Sequence, residues 1–224
     1  MKKIGMIVAM SKELKSYFET LGNVTEISDS IYQVWQANAY GNTLYIVKSG
    51  VGEIASSAAT QYLITKFNVD IIINFGVCGK LSNKLKILDT VVVKSVVHYQ
   101  FDCSEIDGTK PGVYMNDTPY INADNQLIDH LIALDDNIKS VICASGDDFV
   151  ARKEDKERLV IDFSSDVCEM ESAGILITAL KNKVPCLIIK SVSDDCDDMD
   201  FVTYLELATQ KYVEIVDKFV KTLN

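Results

Sequence analysis

Short runs of almost unbroken apolar sequence constrain this chain most. Residues 3–8, 70–75, 87–93, 140–144 and 185–192 are rich in Ile and Val and lack the polar alternation of a half-exposed strand. Such runs suit strands buried on both faces. Between them lie helix-like stretches at 54–67, 125–134, 171–180 and 202–223. Residues 11–21 add another, with Leu14, Phe18 and Leu21 at helical spacing and Ser11 in position to cap it. Two strand-like runs, 31–39 and 43–49, flank Tyr40-Gly41-Asn42 and predict a hairpin. The alternation predicts an α/β fold: one domain over 1–224, with a central mixed, largely parallel β-sheet flanked by helices. In such sheets ligands collect beyond the carboxyl ends of strands, so the site is expected in the segments that follow them.

A net charge of -10, with Arg152 and Arg158 the sole arginines, argues against nucleic acid as a partner, because phosphate binding needs clustered cations. The amino-terminal apolar run falls short of the ~18 residues of a membrane span, and no secretion signal follows from it. Six cysteines stand singly, without the paired spacing of a zinc site, and read as reduced thiols in a cytoplasmic protein. Residues 98–118, polar and without periodicity, form the longest expected loop.

Several motifs carry chemistry. Gly50-Val51-Gly52-Glu53-Ile54-Ala55 has the GxGxxA form of a dinucleotide turn, yet a hairpin precedes it and Asp70 opens its strand instead of ending it. The other reading is a glycine turn where backbone approaches a ligand or a helix packs closely. Gly76-Val77-Cys78-Gly79 reads as a second glycine turn, either lining the same pocket or merely tight. Asp194, Asp195, Asp197, Asp198 and Asp200 form an acidic run without the glycine of a calcium loop, and solvation explains its later members. Asp194 differs, since it follows a buried strand where a carboxyl is desolvated and its pKa raised. Glu13, Glu169 and Glu171 lie at element ends, where carboxylates serve either a pocket or a helix start.

Taken in order, KIGMIVAMSKE (3–13), SGVG (49–52), NFGVCG (74–79), SGDDF (145–149), EME (169–171) and SVSD (191–194) resemble the nucleoside phosphorylase superfamily. The chain looks most like its 5′-methylthioadenosine/S-adenosylhomocysteine nucleosidases. That resemblance implies a small-molecule nucleoside substrate, no cofactor, no metal, and a place in nucleoside catabolism and methionine salvage. It makes Asp194 the acid that protonates adenine N7 and Glu13 the base that activates water. Glu171 and the Met170 backbone would hold the ribose hydroxyls. Phe149 would stack on adenine, Val150 would read its edge, and Met10 and Val51 would line a slot for the 5′ group, with a residue near Phe201 or Tyr204. Val77, Glu169 and Ser193 complete the expected pocket. Cys103 and Ile106 fall where the family lends residues across a homodimer interface.

The chain departs from the family at two positions: Val77 replaces a serine and Lys190 an arginine, both of which help hold the nucleophile. The expected reaction is hydrolysis of 5′-thio-substituted adenosines, with 5′-deoxyadenosine and aminodeoxyfutalosine as neighbouring substrates. Phosphorolysis, the purine nucleoside phosphorylase reaction, is the alternative; the scarcity of cations near the glycine segments argues for water.

Overall fold

The structure, a computed structural model, describes residues 1–28, 31–114, 117–195 and 198–223, without the side chains of 198–202. Its elements run β1 (Lys3–Val8), α1 (Ser11–Leu21), β2 (Thr25–Glu26), β3 (Gln33–Ala39), β4 (Asn42–Lys48), α2 (Glu53–Phe67), β5 (Ile71–Lys80) and β6 (Thr90–His98). There follow α3 (Ser104–Asp107), β7 (Ile121–Asn122), α4 (Asn125–Leu134), β8 (Lys139–Ser145), α5 (Lys153–Phe163), β9 (Val167–Glu169), α6 (Ser172–Lys181), β10 (Cys186–Asp194) and α7 (Asp198–Lys221).

The strands form one mixed sheet. β10, β6, β8, β9 and β5 pair in succession, and β10 also pairs with β5, so these five close into a ring. From β5 the sheet continues outward through β1, β4, β3 and β2. β1, β4, β5 and β10 run one way, whereas β6, β8 and β9 run the other, through the antiparallel β10–β6 and β5–β9 pairings. The sheet is therefore mixed and largely parallel at its centre, with antiparallel pairing where the two directions meet and along the β2–β3–β4 edge. Isoleucine and valine from β1, β5 and β10 fill the core with no solvent exposure at Ile4, Ile72, Ile73, Ile188 or Ile189, which explains the unbroken apolar runs. α7 packs over this core: Tyr212 meets Phe75 at 5.4 Å between ring centroids, and Phe75 meets Tyr17 of α1 at 5.2 Å.

Four local expectations are corrected. The helix α1 takes no cap from Ser11, because Ser11 is already helical; the Glu13 carboxylate instead accepts the Met10 N–H at 2.9 Å. The hairpin turn consists of Tyr40 and Gly41, both at positive φ (53° and 77°), and Asn42 has already joined β4 opposite Ala39. Such a two-residue turn follows the right-handed twist of its strands. Gly76-Val77-Cys78-Gly79 is no turn: β5 runs straight through it, paired with Lys190 to Asp194 of β10. Asp194 is accordingly the last residue of a strand and does not lie beyond it.

Candidate active site

A cavity of about 230 Å³ opens where the ends of β1 and β10 and the loop after β4 meet the ends of β8 and β9 across β5. Its lining includes Met10, Glu13, Val51, Val77, Phe149, Val150, Glu169, Met170, Glu171, Ser193 and Asp194, all of them candidates from the sequence. Cys103 and Ile106 are absent from this lining. They sit at α3, with Ile106 87% exposed. The side chain of Phe201 lies outside the described residues, and Tyr204 does not reach the lining.

Glu13 is fixed from both sides. Its Oε1 accepts the Val77 N–H at 3.2 Å, its Oε2 accepts the Met10 N–H, and Tyr212 Oη donates to the Glu13 carbonyl at 3.1 Å. Gly76 is needed for this approach, because a Cβ there would stand 2.7 Å from Glu13 Oε1. Burial raises the Glu13 pKa, opposed by Lys190 and by the two backbone donors. A carboxylate so held can accept a proton from an adjacent water.

On the far side of β5, Asp194 is 2% exposed, and the Ser193 hydroxyl donates to its Oδ2 at 2.5 Å. The next member of the acidic run, Asp195, is largely exposed and pairs with Lys80 at 3.5 Å. Cys196 and Asp197 lie outside the described residues, as do the side chains of Asp198 and Asp200. Among the described residues no group of three or more His, Cys, Asp or Glu is placed to hold a metal ion.

Glu169 and Glu171 flank Met170 just before α6. Glu169 accepts N–H bonds from Glu171 (3.2 Å) and Ser172 (3.1 Å), and its Oε2 pairs with Lys190 Nζ at 2.8 Å. Burial works against charge on both partners, yet Lys190 holds Glu169 below the usual carboxylate range, and Glu169 with Glu171 keeps Lys190 protonated. Glu171 accepts the Gly52 N–H at 3.2 Å, which ties it to the glycine turn; burial and Glu169 push its carboxyl up to about 8. The turn itself needs its glycines, since Gly50 and Gly52 lie at φ 84° and 104°.

Several contributors escaped the sequence reading. Ala9, Cys78, Gly79, Asp148 and Cys168 also line the cavity. Beneath it, Ser145 lies against both Glu169 (2.6 Å) and Glu53, whose other oxygen accepts the Gly174 N–H. Glu53 was legible only as the x of a GxGxxA pattern, and a serine ending an apolar run carries no signal of its own.

The sequence pattern of the phosphorylase superfamily matches residues 3–221. An aminodeoxyfutalosine nucleosidase of Helicobacter pylori is 33% identical over 100% of this chain and 98% of its own length. A 5′-methylthioadenosine/S-adenosylhomocysteine nucleosidase of Buchnera aphidicola is 30% identical, covering 96% of this chain and 97% of its own. Among solved structures, a mutant H. pylori nucleosidase with 5′-methylthioadenosine in its active site superposes with a TM-score of 0.93 at 28% identity over 100% of both chains. A futalosine hydrolase of the same organism gives 0.92 at 29% identity, covering 99% of this chain and 98% of that one.

Proposed function

The chain belongs to the phosphorylase superfamily, and from that premise we propose that it hydrolyses the N-ribosidic bond of 5′-thio-substituted adenosines, releasing adenine. One observation carries the choice of water over phosphate. Among the described residues the cavity is lined by five carboxyl groups (Glu13, Asp148, Glu169, Glu171 and Asp194) and by no lysine, arginine or histidine. The nearby Lys190 is committed to Glu169. Breaking a ribosyl C–N bond builds positive charge on the sugar, which anions favour, whereas a phosphate dianion would enter this cavity without a counter-charge.

In this reading Glu13 takes a proton from water as it attacks the anomeric carbon, and Asp194 delivers one to N7 of the departing adenine. Protonation lets the base leave as a neutral molecule. Glu171 and the Met170 backbone hold the ribose hydroxyls, while Phe149 and Val150 accept the purine. Ser193 steadies Asp194, and Val77 presents a backbone N–H to Glu13 where a serine would have added a hydroxyl. Met10 and Val51 favour an apolar 5′ group such as methylthio. The relatives' names bring aminodeoxyfutalosine into the same assay as a second substrate.

Adenine release from methylthioadenosine is expected at the same rate with and without phosphate, with free methylthioribose as co-product. A sugar 1-phosphate, or a rate saturating with phosphate, overturns hydrolysis.

The same proposal includes a homodimer. Val51, Ile54, Ile106 and Phe149 are exposed apolar side chains on and near the cavity's glycine turn, α2 and α3, and a second copy would cover them, with Cys103 and Ile106 reaching the neighbour's cavity. Sedimentation at micromolar concentration is expected to give twice the chain mass; a fully active monomer would remove this part of the reading. Among the described residues no helix is long and apolar enough to cross a membrane; a cytoplasmic site of action is part of the same proposal.

A further inference from the structure

We propose that Glu53 is protonated in the folded enzyme and donates a hydrogen bond to Ser145, making it a positioning residue that holds Glu169, and through it Glu171, in place.

Ser145 Oγ makes three hydrogen-bond contacts with one proton of its own. It accepts the Ala173 N–H at 3.0 Å, lies 2.6 Å from Glu169 Oε1, and is in hydrogen-bond contact with Glu53 Oε1. A hydroxyl donates once. With both carboxyls ionised, one short contact would be an oxygen facing an oxygen with no hydrogen between, in a place closed to water. One carboxyl must therefore be the donor.

The partners decide which. Glu169 is surrounded by donors: Lys190 Nζ at 2.8 Å and the N–H groups of Glu171 and Ser172. These suit an anion. Beyond Ser145, Glu53 receives at its carboxyl the Gly174 N–H, on Oε2, which leaves Oε1 to carry the hydrogen. Of the charged groups facing Glu53, Glu169 from β9 and Asp147 from the loop after β8 both bear carboxyls; among the described residues the one buried cation, Lys190 of β10, lies beyond Glu169. His98 of β6 and Lys181 of α6 share the groove on the outer side of α2 with Glu53. Burial, then Glu169, pushes Glu53 up to about 7. The chain then runs Glu53 O–H to Ser145 O–H to Glu169 carboxylate to Lys190. Loss of the Glu53 proton would leave two anions competing for one hydroxyl and loosen the acceptor that fixes the Glu171 backbone.

The kinetic part rests on the proposed ribose-holding role of Glu171; the proton itself does not. In Glu53→Gln the amide still donates to Ser145 and accepts from Gly174 but cannot titrate; Glu53→Met serves if the amide disturbs folding. A folded-state pKa above the unfolded one means that stability is complete below the unfolded value, near 4.5, and is lost as pH rises towards 7. Wild type is thus expected to lose folding equilibrium relative to Glu53→Gln by up to about tenfold per pH unit between pH 5 and 7, the one-proton slope. Isotope-edited infrared spectra at pH 6 are expected to show a protonated-carboxyl band that the substitution removes. The KM for methylthioadenosine is expected to rise about tenfold between pH 6.5 and 8.5 in wild type beyond any rise in Glu53→Gln, with kcat shifting much less. Parallel unfolding profiles and an unchanged infrared band would refute the shared proton. A KM profile that does not respond to the substitution would refute positioning. If no nucleoside is cleaved, the proposed reaction fails, while unfolding and infrared still decide the proton.

Discussion

Single side chains in this protein act through what their neighbours allow, and the two proposed catalytic carboxyls illustrate it. Asp194→Asn keeps a hydrogen-bonding group of the same shape but has no proton to give; kcat is expected to fall by about 10²–10⁴ with KM within tenfold, read from initial rates of adenine release. Glu13→Gln removes the base and is expected to cost at least about 10² in kcat. Gly76→Ala tests the same carboxylate from behind, because its Cβ would stand 2.7 Å from Glu13 Oε1. A displacement approaching 1 Å at that oxygen is expected to lower kcat/KM by at least about tenfold while the fold persists by circular dichroism. Lys190 has another kind of importance. Its removal in Lys190→Met strands the Glu169 charge where both side chains are nearly sealed from solvent, with an expected loss of about 3–5 kcal/mol in urea unfolding.

Among elements, the contact between α2 and α6 is the most exacting. Gly174 of α6 lies against the first turn of α2, so close that a Cβ would overlap the Glu53 carbonyl and stand 3.0 Å from Ser56 Oγ. Backbone on backbone cannot yield by a rotamer change, and Gly174→Ala is expected to destabilise by about 1–3 kcal/mol in urea unfolding. None of this closeness is visible in the sequence, where Gly174 is one small residue in an apolar helix. The strands and most helices were legible because burial on both faces leaves an apolar run and packing on one face leaves a period. The extension of β5 through Gly76 and Gly79 was hidden, since glycine signals a turn until β10 is known to run beside it. β9 is three residues long and α5 is largely charged, too weak a pattern for either. The carboxyls Glu13, Glu169, Glu171 and Asp194, at or near element ends, were found through ordered motifs; Ser145 opens SGDDF and Glu53 sits in the glycine turn, but neither received a role, because their meeting depends on strand and helix ends brought together by pairing between distant segments.

For the whole molecule, the buried carboxyls give stability a definite pH trend. Burial pushes Glu53 and Glu171 up to about 7 and about 8 in the fold, from an ordinary 4.5, and both stabilise most when protonated. Their contribution is present at pH 4.5 and below, and declines as pH rises to 8. Glu169 works oppositely, since its lowered pKa removes stability only in acid. Thermal unfolding is therefore expected to show a higher Tm at pH 5.5 than at pH 8, and a flat or reversed profile would contradict the burial of these groups as acids. The ring of strands has a consequence in time as well. β10 must find β5 and β6, about a hundred positions earlier in the chain, before a wall of the cavity exists. On a ribosome adding about 5–20 residues per second, the base-bearing end is made many seconds before the acid arrives. Until then the apolar flank of β5 lacks its partner and invites wrong ones, so the interval before closure is when the growing polypeptide most needs a chaperone.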